Sequence, residues 1–288
     1  MRKAIWLVAV AFLCTWTAVA MAAGPNAIRK QAEASMQVTG QIDIEADGSV
    51  SDYRIDHPEK LSPDLVSLLE NTVDSWKFQP VLEGDRPVAV STKVSVRLIA
   101  KPADDGSYTV RIGGAAFESD DDGYAPRKVL IGAPSYPRTL AQRGATGTVY
   151  LVLKVGRQGT VEDAIAEQVN LHVVASAARM KQMRDEFANS ALKAARGWTF
   201  ALPVAGPEVD ASHWSLRVPV DFILSNSSTV NPEGEYGRWI GYVPGPRRSI
   251  PWSDNDEDFQ AAPDAMLAGN FYSSRNNGPR LLTALGSD

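Results

Sequence analysis

The chain has 288 residues, 44% of them hydrophobic and 22% charged, with a formal net charge of −5. This is globular composition with room for two modest domains, and it excludes a collagen or a wholly disordered chain. Charge is uneven: residues 33–103 and 104–125 each carry −5, residues 126–226 carry +4 and residues 227–288 carry −3. No block is basic enough to make nucleic acid the main partner.

Arg2 and Lys3 precede the apolar run Ala4–Ala20, and Ala20-Met21-Ala22 supplies a small-x-small cleavage pattern. Residues 1–22 are therefore expected to be a signal peptide that sends the protein to the periplasm. The alternative is an uncleaved inner-membrane anchor facing the periplasm. Seventeen residues of helix span roughly 26 Å, just short of a typical hydrocarbon core. The single cysteine, Cys14, excludes an intramolecular disulfide framework and a cysteine-cluster metal site. Ala11-Phe12-Leu13 lacks the small residues expected before a lipoprotein cysteine. A cleaved chain would contain no cysteine, which suits an oxidising compartment.

An internal repeat organises most of the remaining chain. The first copy runs Val38-Thr-Gly-Gln-Ile42-Asp-Ile44, turns at Asp47-Gly48, and resumes at Val50. The second runs Val149-Tyr-Leu151-Val-Leu153-Lys-Val155, turns at Gln158-Gly159, and resumes at Val161. Period-2 alternation on both sides of a glycine turn predicts a β-hairpin in each copy. A helix comes next. In the first copy Ser62 caps, Pro63 sits in the first turn, and Leu65, Leu68, Leu69, Val73 and Trp76 recur at helical spacing. In the second copy Phe187, Ala191, Ala195 and Trp198 do the same. Trp76-Lys-Phe78 and Trp198-Thr-Phe200 end the helices, and third strands are expected over 87–100 and 212–224. The turn glycines lie 111 residues apart and the tryptophans 122, which places about eleven extra residues around Val169–Arg184 in the second copy.

The expected fold class is thus α+β. It consists of two small ββαβ units, residues 33–103 and 126–226, each a three-stranded antiparallel sheet with a helix on one face. Residues 104–125 read as an acidic linker around a short strand, Tyr108–Ile112. Residues 227–288, rich in Gly, Pro and Ser, read as a mostly irregular tail folding back by Tyr236, Trp239, Tyr242 and Trp252.

The second unit resembles the C-terminal domain of the TonB family, envelope proteins that couple inner-membrane energy to outer-membrane receptors. The resemblance rests on Ser135-Tyr136-Pro137-Arg138, Ala141-Gln142-Arg143-Gly144, Gly147-Thr-Val149 and Gly159-Thr-Val161-Glu-Asp163. It continues through Ala194-Ala195-Arg196-Gly197-Trp198-Thr-Phe200 and Val218-Pro219-Val220-Asp221-Phe222, over about 100 residues. The first unit matches through its hairpin and Trp-Lys-Phe, without the Tyr-Pro helix. About twelve residues separate Ala23 from the first unit, at most about 40 Å of extended chain, where the family carries a long Pro-rich spacer.

The resemblance implies binding of a short partner segment by strand addition to a sheet edge. An open edge offers unpaired N–H and C=O groups to an extended peptide. The expected edge is the third strand of the second unit, with Ser215, Arg217, Asp221 and Ile223 pointing outward and Pro219 consistent with edge placement. The resemblance also places Ser135, Tyr136, Pro137 and Arg138 near the partner groove. Trp76 and Trp198 are core anchors. Arg127, Lys128, Arg138, Arg143 and Arg157 form a solvated basic surface that could steer an acidic peptide.

Asp254-x-Asp256-x-Asp258 resembles a calcium loop, but Phe259 stands where that loop needs glycine and Ala265 where it needs glutamate. His57, His172 and His213 are scattered. No catalytic grouping, cofactor fingerprint or metal site is expected. The leading reading is a non-enzymatic exported protein that docks a segment of an envelope protein, such as an outer-membrane receptor. One alternative is an anchored energy transducer with an ExbB/ExbD-like motor. Another is a structural periplasmic protein that self-associates, for example as a homodimer.

Overall fold

Alternation of Met36, Val38, Ile42 and Ile44 with polar neighbours folds Glu33–Ile44 into strand β1, after a one-turn helix α1, Pro25–Arg29. The computed structural model describes residues 25–103, 105–118, 126–205, 209–224, 236–252, 266, 272–273 and 279–285. The expected signal peptide and the Asp254–Asp258 triplet lie outside these. Among the described residues no helix is long and apolar enough to cross a membrane.

From β1 the chain turns at Gly48 (φ 83°) and returns antiparallel as β2, Val50–Ile55. Helix α2, Pro63–Asp74, buries Leu69 and Val73 against the sheet, with Pro63 in its first turn where no intrahelical N–H is needed. Trp76 and Phe78 then close the core edge-on to each other, ring centroids 6.3 Å apart. Short strands β3 (Phe78–Gln79), β4 (Val81–Glu83) and β5 (Arg86–Val88) lead into β6, Val90–Pro102, which pairs with β1 along its length.

The stretch expected to be an acidic linker is, over Tyr108–Phe117, a further strand, β7, paired antiparallel to β6 from Val94 to Pro102. In sequence its acidic residues come before Tyr108 and after Phe117. Between them Ile112 and Ala115 are buried in the first core, so the apolar middle outweighs the charged flanks.

The second copy opens with β8, Arg127–Leu130, and a one-turn helix α3, Arg138–Ala141. Strands β9 (Gly147–Gly156) and β10 (Val161–Leu171) form its hairpin. Helix α4, Ala177–Ala195, buries Met180, Met183, Phe187, Ala191 and Ala195. Strands β11 (Thr199–Ala201) and β12 (His213–Phe222) complete it. The extra residues lengthen the second strand and the helix, to 11 and 19 residues against 6 and 12.

The described parts of the tail are mostly without regular structure and lie back on the sheets. They include β13 (Ile240–Tyr242) on β1, β14 (Tyr272–Ser273) on β12, and β15 (Arg280–Leu281) on β3. The result is an α+β fold on antiparallel sheets, with more strands than expected. One sheet runs β13-β1-β6-β7, with β2 also on β1, and the other runs β10-β9-β12-β14.

Each helix covers one face of its sheet, and the two remaining faces meet. Ser95, Arg97 and Ile99 of β6 and Tyr150 and Val152 of β9 alternate with helix-facing residues yet are all buried. Ala116 and Val152 share a small apolar cluster with Ile250 and Met266 of the tail.

The repeats also share a close contact. The phenylalanine after each tryptophan donates its N–H to the carbonyl of the hairpin glycine, Phe78 to Gly48 and Phe200 to Gly159, each at 2.8 Å. A Cβ at Gly48 would stand 2.0 Å from the Phe78 carbonyl, and one at Gly159 2.1 Å from that of Phe200. Gly48→Ala and Gly159→Ala should each cost about 1–3 kcal/mol from the left-handed backbone alone, and more from the clash. Gly84→Ala, at φ 64° with nothing within 4 Å of its Cβ position, should cost less than either. Urea midpoints of the three variants check this ordering.

Candidate functional site: the outer edge of the second sheet

Strand β12 carries the candidate site, and its alternation works as the sequence implies on one face. Leu216, Val218, Val220 and Phe222 enter the second core. The opposite face holds Ser215, Arg217, Pro219 and Asp221. That face is buried at Arg217 and Pro219, where it looks toward the first sheet, and reaches water at Asp221.

Arg217 is therefore fully buried rather than outward. Its Nε and Nη2 donate to Glu167 Oε2 and Oε1 at 2.7 and 2.8 Å. Glu167, equally buried, sits at a bulge in β10, where the pairing with β9 slips between Ala166 and Gln168. A bulge adds an unpaired residue and re-aims its side chain. Arg247 of the tail brings a second guanidinium to Glu167 Oε1 at 2.7 Å and stays 43% exposed. Two buried opposite charges are tolerable because the fork satisfies both carboxylate oxygens.

The tail also reaches the outer edge of β12. Tyr272 and Ser273 pair with Arg217 and Leu216, and Trp252 Nε1 donates to Ser215 Oγ at 3.0 Å. The expected open edge is thus capped by the chain itself at Ser215–Arg217, which takes Arg217 out of any partner contact. Asp221 is exposed, and its carboxylate accepts from Thr148 Oγ1 at 2.6 Å across the ladder. Ile223 is 53% and Leu224 37% exposed, just past the strand.

The Tyr-Pro segment lies elsewhere. Tyr136 packs its ring edge-on against Phe187 and Phe222, at 5.8 and 5.6 Å, and its hydroxyl donates to the Ala145 carbonyl. Burial raises its pKa. It is half-buried and packs against the second core. Pro137 caps α3 with extended backbone, and Ser135 and Arg138 are exposed. The segment is held by Ser190 Oγ, which donates to the Ser135 carbonyl.

Both tryptophans are buried, and Trp198 Nε1 donates to the Gly132 carbonyl at 2.8 Å. Arg127, Lys128, Arg138, Arg143 and Arg157 are exposed. His57 stacks edge-on against Tyr236, centroids 5.4 Å apart, while burial lowers the pKa of His172. Among the described residues no three His, Cys, Asp or Glu side chains group as metal ligands.

Sequence reasoning missed Glu167 and Arg247, and it named Tyr242 and Trp252 only as aromatics of a folded-back tail. Arg97 lies under the Tyr242 ring at 4.9 Å and donates to Tyr150 at 3.5 Å, between the sheets. Searches with the chain against protein-family models, curated proteins and solved structures return no match.

The ion cluster makes a measurable claim. Glu167→Gln or Arg217→Met strands a buried charge and should cost about 3–5 kcal/mol. The double variant Glu167→Met/Arg217→Met should cost less than either alone, in equilibrium denaturation of all three. A second prediction concerns Tyr236, whose hydroxyl donates to the Thr39 carbonyl at 3.2 Å and anchors the tail on β1. Burial pushes its pKa up to about 12. The folded state then holds a proton that the unfolded state releases near its ordinary pKa of about 10. Stability should be intact below pH 10 and decline between pH 10 and 12, and Tyr236→Phe should flatten part of that decline.

Proposed function

We propose that this is an exported, non-catalytic envelope protein of the TonB-like class. In this reading its two ββαβ units serve as a rigid body, and it docks an extended segment of a partner protein on the outer edge of β12. The observation that carries the reading is a likeness between the two halves. In the first, the outer edge of the third strand bears an antiparallel strand, β7 on β6, from Val94 to Pro102. In the second, the corresponding edge also accepts antiparallel pairing, from Tyr272 and Ser273.

The first half thus supplies, within the same chain, an example of what such an edge accepts. Toward the far end of β12 lie Asp221 and the exposed apolar pair Ile223 and Leu224. Pro219 offers no N–H there, so a visiting strand gains its bonds from the neighbouring positions. Five backbone bonds at about 0.5–1.5 kcal/mol each give a few kcal/mol, a weak and reversible contact suited to a protein that must let go.

A photo-crosslinking residue placed at Ile223 in cells tests this, with mass spectrometry of the adduct and of the mature N-terminus. The expected outcome is capture of an envelope protein through one extended segment, on a chain beginning at Ala23. Adducts formed only with a second copy of this chain would overturn the docking reading in favour of self-association. A chain that keeps Met1 would replace the exported form with a membrane-anchored transducer.

A further inference from the structure

The second strand of each hairpin lies at the margin of its sheet, and the chain treats the two margins differently. In the second half the tail runs along the outer edge of β10. Val243 exchanges two backbone bonds with Leu171, Gln168 Nε2 donates to the Gly245 carbonyl at 3.0 Å, and Arg248 N–H donates to the Glu167 carbonyl at 2.8 Å. In the first half, where residues 25–103 are described without a break, β2 pairs with β1 alone. Among the described residues no backbone bond reaches the outer edge of Val50–Ile55. We propose that β2 pairs antiparallel with β2 of a second copy of this chain, joining the two first sheets across a two-fold axis at Tyr53. This goes beyond the docking reading of β12 and does not depend on it.

The backbone sets the phase of this pairing. Asp56 N–H donates to the Thr39 carbonyl, and β2 continues in register from Ile55 on Gly40 to Asp52 on Asp43. Alternation along the ladder then turns the backbone groups of Arg54 and Asp52 toward β1 and those of Tyr53 and Ile55 outward. Charge selects the register. An axis at Tyr53 makes that residue a hydrogen-bonded pair with its own copy. It also sets Asp52 opposite Arg54 twice, in non-hydrogen-bonded pairs, where side chains approach most closely. An axis at Asp52 or Arg54 would instead set like charges face to face. Both side chains are 51% exposed, on the face opposite Tyr53, whose ring packs against the first core. Arg54 already bridges Asp43 at 3.0 Å, so its guanidinium would lie between a carboxylate of its own chain and one of the copy. Asp43 takes Asp52 and Ile44 takes Val50, which leaves Ser51 as an extra residue in β2. That irregularity keeps the ribbon short, and the −5 on residues 33–103 opposes close approach, so the contact is weak and reversible.

Sedimentation equilibrium of the purified protein, from about 10 μM to 1 mM, tests this. The expected outcome is reversible dimerisation. Asp52→Arg and Arg54→Asp should each weaken it about tenfold or more, because each sets like charges opposite one another across the axis. An equimolar mixture of the two variants should dimerise again, since every cross-strand pair is then opposite in sign. If either single variant fails to fold, the double variant Asp52→Arg/Arg54→Asp, which exchanges the two charges, should dimerise like the unaltered chain. A monomer throughout the range would overturn the proposal. So would a dimer that both single variants leave unchanged, which places the contact elsewhere, or a mixture that stays monomeric although each variant is folded.

Discussion

The carboxylate of Glu167 holds this architecture together. It is buried between two sheets, it accepts both arms of Arg217 from two strands away, and it draws in Arg247 from the tail. A charge placed there must be matched from specific directions or the fold loses several kcal/mol. The same requirement therefore fixes how β10 lies relative to β12 and where the tail crosses. Arg248 N–H, donating to the Glu167 carbonyl at 2.8 Å, repeats that constraint in the backbone. Beside this ionic centre Ala116, Val152, Ile250 and Met266 form an apolar cluster between the two helix-covered cores. Position is set here by charge and stability by the cores on either side.

Local patterns are readable where one chain segment decides the outcome. The hairpin glycines, the helical spacing ending in Trp76 and Trp198, and the apolar face of β12 all come from period and turn chemistry within a dozen residues. What alternation cannot reveal is the neighbour of the opposite face. Arg217 and Asp221 share that face by period, yet one is sealed against Glu167 and the other reaches water. The difference comes from a second sheet, which no short window of sequence contains.

The tail and β7 are hard to read for related reasons. Gly113-Gly114-Ala115-Ala116 has none of the branched or aromatic residues that mark a strand, so the strand signal stops at Ile112. Small residues suit that site because the second sheet packs close to Ala116. Strands β13 and β15, of three and two residues, are too short to have any periodicity, and they pair with strands far away in sequence. Tyr136 packs its ring edge-on against Phe187 and Phe222, contacts that the Tyr-Pro dipeptide alone does not reveal because both partners come from distant parts of the chain.

Tyr242 and Val243 are adjacent in the chain but belong to different sheets. Tyr242 pairs with Glu33 on β1, and Val243 exchanges two backbone bonds with Leu171 of β10. One peptide unit thus acts as a rivet between the halves. Neither repeat can melt while its sibling stays intact without first prising that rivet loose. Two copies of one small motif are in this way fastened through a single peptide unit, which ties the opening of one half to the opening of the other.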